Sequence, residues 1–243
     1  MKKLTLLVLS AAVSIMVSGQ VYPPFLLEET QITPPSFPHH EVLVHGQTAS
    51  SIDEYLSIHV QYPPESNIRY LAGTEVVQFQ VSATGELTSF KVINSVSPEI
   101  DLEVIRVLET TSGNWTPGVL NGKPSALSQE VSMVFKPHTS YDLAGKARDY
   151  QDRGNKLMFL QDDPERALKY YNKAVKLLPY EESILCVRCL CRYELGDDEG
   201  AREDLERILA LNPEMKERYV TASPADFFTY LKYDVEQDYL SKY

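Results

Sequence analysis

A repeat of 34 residues restricts the second half of the chain to one kind of architecture. The repeated positions are Ala167, Tyr171, Ala174 and Pro179 in the first copy and Ala201, Leu205, Ile208 and Pro213 in the second. A period of this length among helix-forming residues is typical of stacked helix-turn-helix units. Small alanines suit positions where two helices approach closely, and proline ends each second helix. We therefore expect an all-α domain over residues 139–243.

A further helix is expected after the second repeat, because two repeats are fewer than the three that an independent solenoid usually needs. The residues Ser223-Pro224-Ala225-Asp226 form a capping pattern at its start. Phe227, Leu231 and Val235 would form its apolar stripe. We expect this helix to cover the second repeat as a cap.

The two repeats differ in the length of their inner turn. Cys189 lies at the small-residue position twelve residues before Ala201, whereas Gly154, the matching residue of the first repeat, lies thirteen before Ala167. The turn Gln161-Asp162-Asp163-Pro164 therefore has one extra residue. We expect the difference to affect only the first helix of that repeat.

The first 19 residues have the pattern of a secretory signal peptide. Lys2 and Lys3 precede a mostly apolar run over residues 4–17, and small residues follow it. A membrane anchor is the alternative, but a helix of that length covers roughly 21 Å, less than the ~30 Å of a hydrocarbon core. We expect cleavage near Gly19 or Gln20 and an exported, periplasmic protein.

Residues 20–45 contain five prolines and little periodicity, which predicts an extended, poorly packed leader. His39, His40 and His45 lie in this leader. No Cys, Asp or His at ligand spacing completes a site around them, so we interpret them as loop histidines and expect no metal site.

Residues 46–138 have a mixed pattern that predicts a small β-β-α-β sheet domain. The expected elements are a short helix over 52–60, strands over 74–82 and 86–94, a helix starting at Ser97-Pro98-Glu99, and a strand over 129–135. The longer helix has one apolar face, formed by Ile100, Val104, Val107 and Leu108. The fold class expected for the whole chain is α+β, with this sheet domain followed by the all-α domain.

The order of these elements resembles the TonB C-terminal domain of bacterial energy transducers. The matching features, in chain order, are Gln61-Tyr62-Pro63, Gly73, the alternating Val77, Phe79 and Val81, the turn at Gly85, the helix, Trp115-x-Pro117-Gly118, Asn121-Gly122-Lys123 and the closing strand. They cover roughly residues 50–136. The 34-residue period likewise resembles the tetratricopeptide-repeat family.

The first resemblance implies a binding site for an extended peptide. Domains of that family bind the TonB box of an outer-membrane transporter by strand addition, for which an exposed sheet edge supplies unpaired backbone groups. The positions that correspond are Gln61, Tyr62 and Pro63 beside the peptide, and the edge strand Val131, Ser132, Met133, Val134 and Phe135. A core position for Tyr62 remains an equal alternative. We interpret Trp115 as core.

The residues that most often perform chemistry do not form a recognisable catalytic or cofactor site. Cys186, Cys189 and Cys191 lack a second Cys/His pair at zinc spacing, so we interpret them as buried structural residues, with a disulfide as the alternative. His59 and His138 belong to no catalytic motif, and no phosphate-binding glycine loop is present. We expect a non-enzymatic protein without a cofactor.

The charge restricts the partners. The chain has 23 basic and 34 acidic residues, which speaks against nucleic acid and anionic membranes as partners. After signal cleavage, residues 20–139 would have a net charge of −8 and residues 140–243 one of −5. A protein surface that is neutral to basic is therefore the expected partner.

Two functions are consistent with these features. The first is a TonB-like protein-binding module that binds an outer-membrane transporter segment while the repeats recruit a second protein. The alternative is a periplasmic scaffold with no role in TonB-dependent energy transduction, because its N-terminal apolar segment is expected to be cleaved and its leader is short, whereas the transducers have an uncleaved spanning helix and a long proline-rich spacer. An open sheet edge also makes a homodimer conceivable.

Overall fold

The computed structural model describes residues 16–17, 20–21, 31–37, 49–215 and 224–240. The chain divides into two compact units. The first unit comprises Met1–Gln61, Val77–Lys91 and Leu102–Val131, and the second comprises Tyr62–Val76, Val92–Asp101 and Ser132–Tyr243. The second unit therefore contains the helical region together with short stretches of the expected sheet domain.

The sheet-forming half contains eight strands and three helices among the described residues. They are β1 (Met16–Val17), β2 (Gln20–Val21), β3 (Ile32–Thr33), α1 (Ile52–His59), α2 (Pro64–Ile68), β4 (Gly73–Val81), β5 (Leu87–Asn94), α3 (Pro98–Glu109), β6 (Gly118–Leu120), β7 (Lys123–Ser125) and β8 (Leu127–Phe135). The strand order is β5-β4-β8 in one sheet and β3-β6-β7 in another, and β1 pairs with β2.

The structure confirms the expected α+β class and the expected core elements of the sheet domain. Ser82 and Glu86 close the β4–β5 turn, where the Ser82 N–H donates to the Glu86 carbonyl at 2.8 Å. The apolar face predicted for α3 is buried: Ile100, Val104, Val107 and Leu108 are each at most 1% exposed. Ser97 caps this helix, and its Oγ accepts from the Ile100 N–H at 3.4 Å.

The part of the leader over residues 31–37 is mostly exposed, but it makes strand contacts and buries Pro35 and Phe37, which its sequence did not predict. Ile32 and Thr33 pair antiparallel with Leu120 and Val119. Phe37 is buried, and its ring lies 5.5 Å from that of Trp115 and 5.8 Å from that of Tyr55. Sequence periodicity could not show this pairing, because it joins residues more than eighty positions apart.

Three short elements of this half were not expected from the sequence. Pro64 begins α2, where a missing N–H costs nothing. β6 and β7 flank the turn expected at Asn121-Gly122, and both turn residues have positive φ, 50° and 79°. Three-residue strands are too short to produce a recognisable alternation.

Among its described residues, the helical half contains two helix pairs and a long final helix. Its elements are α4 (Leu143–Asn155), a π-helical turn (Lys156–Leu160), α5 (Pro164–Leu177), α6 (Glu182–Glu194), α7 (Asp198–Leu211) and α8 (Pro224–Leu240). At the small-residue positions, a Cβ on Gly154 would clash with the Tyr171 ring, and Cys189 is fully buried. This is the close approach that the repeat predicts.

The π-helical turn lies directly before Gln161-Asp162-Asp163-Pro164, the turn in which the sequence placed the extra residue of the first repeat. A π-turn inserts one residue into a helix without ending it. The thirteen-residue spacing from Gly154 to Ala167 is thereby accommodated within the continuous helix formed by α4 and the π-turn. The extra residue is thus taken up before the turn over 161–164, where the sequence placed it.

A buried ion-pair network holds α6 against α7. Asp204 is 1% exposed, and it accepts from Arg188 Nε at 2.9 Å and lies 3.1 Å from Arg192 Nη1. Removal of one partner from such a network strongly destabilises the folded protein, because a buried charge then remains uncompensated.

The last helix packs on α6, as expected of a cap. The ring of Phe228 stacks on Tyr193 at 3.9 Å, and Lys232 Nζ lies 2.6 Å from Glu194. Leu231 is 1% exposed and Val235 is partly buried, whereas the side chain of Phe227 lies outside the described part of the structure. Phe228 thus occupies a buried position of the stripe.

Several expectations about the N-terminus fall outside the described residues. They concern most of the signal peptide, its cleavage site near Gly19, and His39, His40 and His45. Within the described ranges, no helix has the length and apolar character needed to cross a membrane.

Candidate functional site

The strand β8, expected to bind a peptide, lies at one edge of the sheet with strand order β5-β4-β8. Val131 and Phe135 are buried at 5% and 3% exposure, and Met133 is partly buried. Ser132 is exposed, and Val134 is 51% exposed. The alternation of the strand therefore follows the expected pattern, with one face in the core.

The other edge strand, β5, is less suited to accept a further strand. Ser89, the third residue of β5, has a φ of 55°. A residue in this left-handed region breaks the regular hydrogen-bonding row, as a β-bulge does. No residue of β8 has a positive φ. Of the two edges, β8 is thus the regular one.

Tyr62 packs beside the end of β8. Its ring meets that of Phe135 edge to face, with centroids 5.5 Å apart, and its hydroxyl donates to the Leu71 carbonyl. Partial burial raises the pKa of Tyr62, and nearby Tyr141 raises it further. Tyr62 is therefore held by contacts within the protein while it remains next to the edge strand.

The neighbours of Tyr62 are placed by other contacts. The Gln61 N–H donates to Glu103 Oε1 at 2.9 Å, and the same carboxylate binds Arg106. Pro63 is partly buried. The contact between Tyr62 and Phe135 links the motif to the strand.

Trp115 belongs to the core, as expected. It is 4% exposed, its ring packs edge to face on Phe79 at 5.3 Å, and its Nε1 donates to Thr111 Oγ1 at 2.9 Å. Gly85 has a φ of 85° and lies against the Trp115 backbone. A Cβ on Gly85 would clash with the Trp115 carbonyl oxygen. The glycine of the first hairpin is therefore required both by the turn and by this contact.

A contact between strand residues and α5 was not anticipated from the sequence. Thr74 Oγ1 donates to the Leu177 carbonyl at 2.8 Å, and Asn94 Nδ2 donates to the Lys176 carbonyl at 3.1 Å. A Cβ on Gly73 would lie 2.7 Å from the Lys176 carbonyl oxygen. We call these residues the α5 seam. It satisfies carbonyl groups at the end of α5 that have no partner within the helix.

A buried carboxyl group lies next to the α5 seam. Glu75 is 1% exposed, and its Oε2 accepts from the Val96 N–H at 2.8 Å. Burial raises the pKa of Glu75 to about 8; the Val96 N–H and Lys176 oppose this shift, and Asp101 adds to it. Burial also lowers the pKa of Lys176. No sequence signal marks Glu75, because it occupies an ordinary strand position.

The three cysteines are buried thiols in α6. Cys189 Sγ donates to the Ala201 carbonyl, and Cys191 Sγ donates to the Pro164 carbonyl, each at 3.2 Å. Burial raises the pKa of Cys186 and of Cys191 to about 12, and it raises the pKa of Cys189 as well. In the described ranges no group of three His, Cys, Asp or Glu side chains is placed to hold a metal ion.

Fold and edge geometry together define a small sheet with one regular edge, followed by paired helices. Residues 58–137 match the family model described as the Gram-negative bacterial TonB protein C-terminal. A solution structure of the Helicobacter pylori TonB C-terminal domain is similar over 37% of this chain and 92% of that chain, at 16% identity and a TM-score of 0.28. No curated protein matches the chain significantly.

Proposed function

We propose that this chain is an exported, non-enzymatic binding protein of the cell envelope whose sheet binds an extended peptide along β8. The family match over residues 58–137 supports a protein-binding role of the TonB kind. The expected ligand is the TonB box of an outer-membrane transporter. The helix pairs, which we assign to tetratricopeptide repeats, would recruit a second protein in the periplasm.

The main observation behind this proposal is the difference between the two sheet edges. A peptide that adds to a sheet needs a run of regularly spaced backbone donors and acceptors. β8 extends over nine residues without a left-handed residue, whereas Ser89 interrupts the row on β5. Strand addition is therefore expected at β8. A second copy of the chain could use the same edge, which is the route to a homodimer.

The test uses the chain from residue 20 to 243, because β3 and Phe37 pack against the sheet and a shorter fragment would lack them. A fluorescein-labelled peptide of a transporter's TonB box should bind, as measured by anisotropy. Neighbouring backbone N–H groups of a strand point to opposite sides. Of the two variants Ser132→Pro and Met133→Pro, one should therefore remove a backbone donor that points away from the sheet. That variant should keep the fold and abolish peptide binding.

Two controls separate binding from folding. Circular dichroism identifies which proline variant remains folded, and a peptide with N-methylated backbone amides should bind poorly to the unmodified chain. If the TonB box peptide fails to bind the folded chain, the transporter assignment is wrong. The periplasmic scaffold without a role in TonB-dependent transport would then be the remaining proposal.

A further inference from the structure

A cavity of about 650 Å³ lies among the helices of the second unit. Its lining comes from α4, α6 and α8, together with Met215. We call the apolar part of its lining the floor: Val187 and Leu231 are 3% and 1% exposed, and Val235 is partly buried. The volume is within the range of ~300–1,000 Å³ that ligand pockets usually have.

The rim of this cavity is acidic. Asp152 of α4, Glu181 and Glu182 beside and on α6, and Asp234 of α8 all line it. Among the described residues that line the cavity there is no lysine and no arginine. Neighbouring amides and hydroxyls hold two of the carboxylates: Asn212 Nδ2 lies 3.2 Å from Glu182, and Ser183 Oγ lies 3.2 Å from Glu181.

This combination selects for a particular ligand chemistry. Carboxylates around a low-dielectric concave wall concentrate a negative potential there. A lysine or arginine side chain has an apolar stem and a cationic end, so it can cover the floor with the stem while its charge meets the rim. An acidic or purely apolar segment would remove water from the carboxylates without bringing an opposite charge, at a cost in free energy.

We propose that the cavity bounded by α4, α6 and α8 binds a segment of a partner protein that contains lysine or arginine between apolar residues. The inference deepens the second half of the proposed function, recruitment by the helices, and rests on it. The edge strand β8 does not line the cavity. Peptide addition to the sheet can therefore fail while this site binds, and the reverse also holds.

The test measures anisotropy of two labelled hexapeptides with the chain from residue 20 to 243. One has the sequence Leu-Lys-Ala-Leu-Lys-Leu, and the other has glutamate in place of both lysines. The lysine peptide should bind and the glutamate peptide should not. Asp152→Asn with Glu181→Gln should weaken binding of the lysine peptide about tenfold, because two exposed carboxylates are lost.

A matched variant controls for net charge. Asp149→Asn with Asp198→Asn removes two exposed acids outside the cavity lining and should leave the affinity within about twofold. The folded proline variant of β8 should bind the lysine peptide as the unmodified chain does. The proposal is overturned if neither peptide binds, if both bind equally, or if the two double variants weaken binding to the same extent.

Discussion

Glu75 illustrates how a single residue can make the stability of this protein depend on pH. Its carboxyl group is buried beside Val96, and charged groups face it from two helices: Asp101 of α3 and Lys176 of α5. Its pKa rises from the ordinary 4.5 to about 8, so the folded state favours the protonated form. The stability due to this preference is fully present below pH 4.5 and is lost as the pH rises towards about 8.

Replacing this carboxyl group should therefore flatten the pH dependence. Glu75→Gln keeps the size of the side chain and an acceptor for the Val96 N–H but cannot ionise. As the pH rises from 4.5 to 8.5, the unfolding free energy of the variant should increase by about 1–3 kcal/mol relative to that of the unmodified chain. Urea unfolding at several pH values measures this.

The control for this prediction is Glu109→Gln, which changes an exposed carboxylate on α3. Its stability should follow that of the unmodified chain at every pH. Parallel curves for Glu75→Gln and the unmodified chain would show that Glu75 does not titrate in the folded state as its burial implies.

At the scale of elements, the short strand β3 and the residues after it show how a proline-rich segment becomes part of a core. β3 pairs with β6, and Ser36 and Thr116 exchange backbone hydrogen bonds at 3.1 and 2.9 Å. Phe37 then enters an aromatic cluster with Tyr55 and Trp115. Prolines are tolerated here because an edge position does not need every backbone donor.

We predict that Phe37 is required for stable folding of the sheet. Phe37→Ala removes a ring that is 7% exposed, and the loss of packing should cost about 3–5 kcal/mol. Ile32→Ala is the matched control, because Ile32 lies in the same segment but is 46% exposed. Its cost should stay below about 1 kcal/mol.

Chemical denaturation followed by Trp115 fluorescence measures both variants, since this is the single tryptophan of the chain and Phe37 lies against it. Equal midpoints for Phe37→Ala and Ile32→Ala would mean that the segment contributes little to the stability of the sheet.

At the scale of the whole molecule, the compact units do not coincide with the sequence boundary expected between residues 138 and 139. The second unit contains Tyr62–Val76 and Val92–Asp101 as well as the helices. The α5 seam explains this arrangement physically, because Thr74 and Asn94 donate to carbonyls at the end of α5. Ala72 also belongs to the same apolar cluster as Leu177 and Ala174.

A chain cut at the expected boundary should therefore yield a less stable helical part. Residues 139–243 alone lose one buried and one partly buried hydrogen bond, worth about 1 kcal/mol each, and the packing of Ala72. The melting temperature of this fragment should fall by about 10 °C relative to the helical transition of the full chain. Circular dichroism at 222 nm follows the melting.

The same contacts can be removed without cutting the chain. Thr74→Val with Asn94→Ala should shift the helical transition of the full chain downward, by less than the cut does. A fragment that melts at the same temperature as the full chain would show that the α5 seam does not stabilise the helices.

The sequence by itself determined the features that depend on local spacing. The 34-residue period predicted the two helix pairs, and the alternation of Val77, Phe79 and Val81 predicted a strand. The spacing of Ile100, Val104 and Leu108 predicted the buried face of α3. Each of these signals lies within one element or one repeat, and so it can be seen without knowing which other residues are nearby.

Only the tertiary structure decided which distant segments meet. Phe37 is buried because Trp115 is beside it, Glu75 is desolvated where β4 approaches α5, and the acidic cavity exists because α8 returns to α4 and α6. Which edge of the sheet is regular likewise depends on the tertiary structure: the strand order places β5 and β8 at the two edges, and the left-handed Ser89 interrupts β5. Such features arise from contacts between residues far apart in the chain, which local periodicity does not encode.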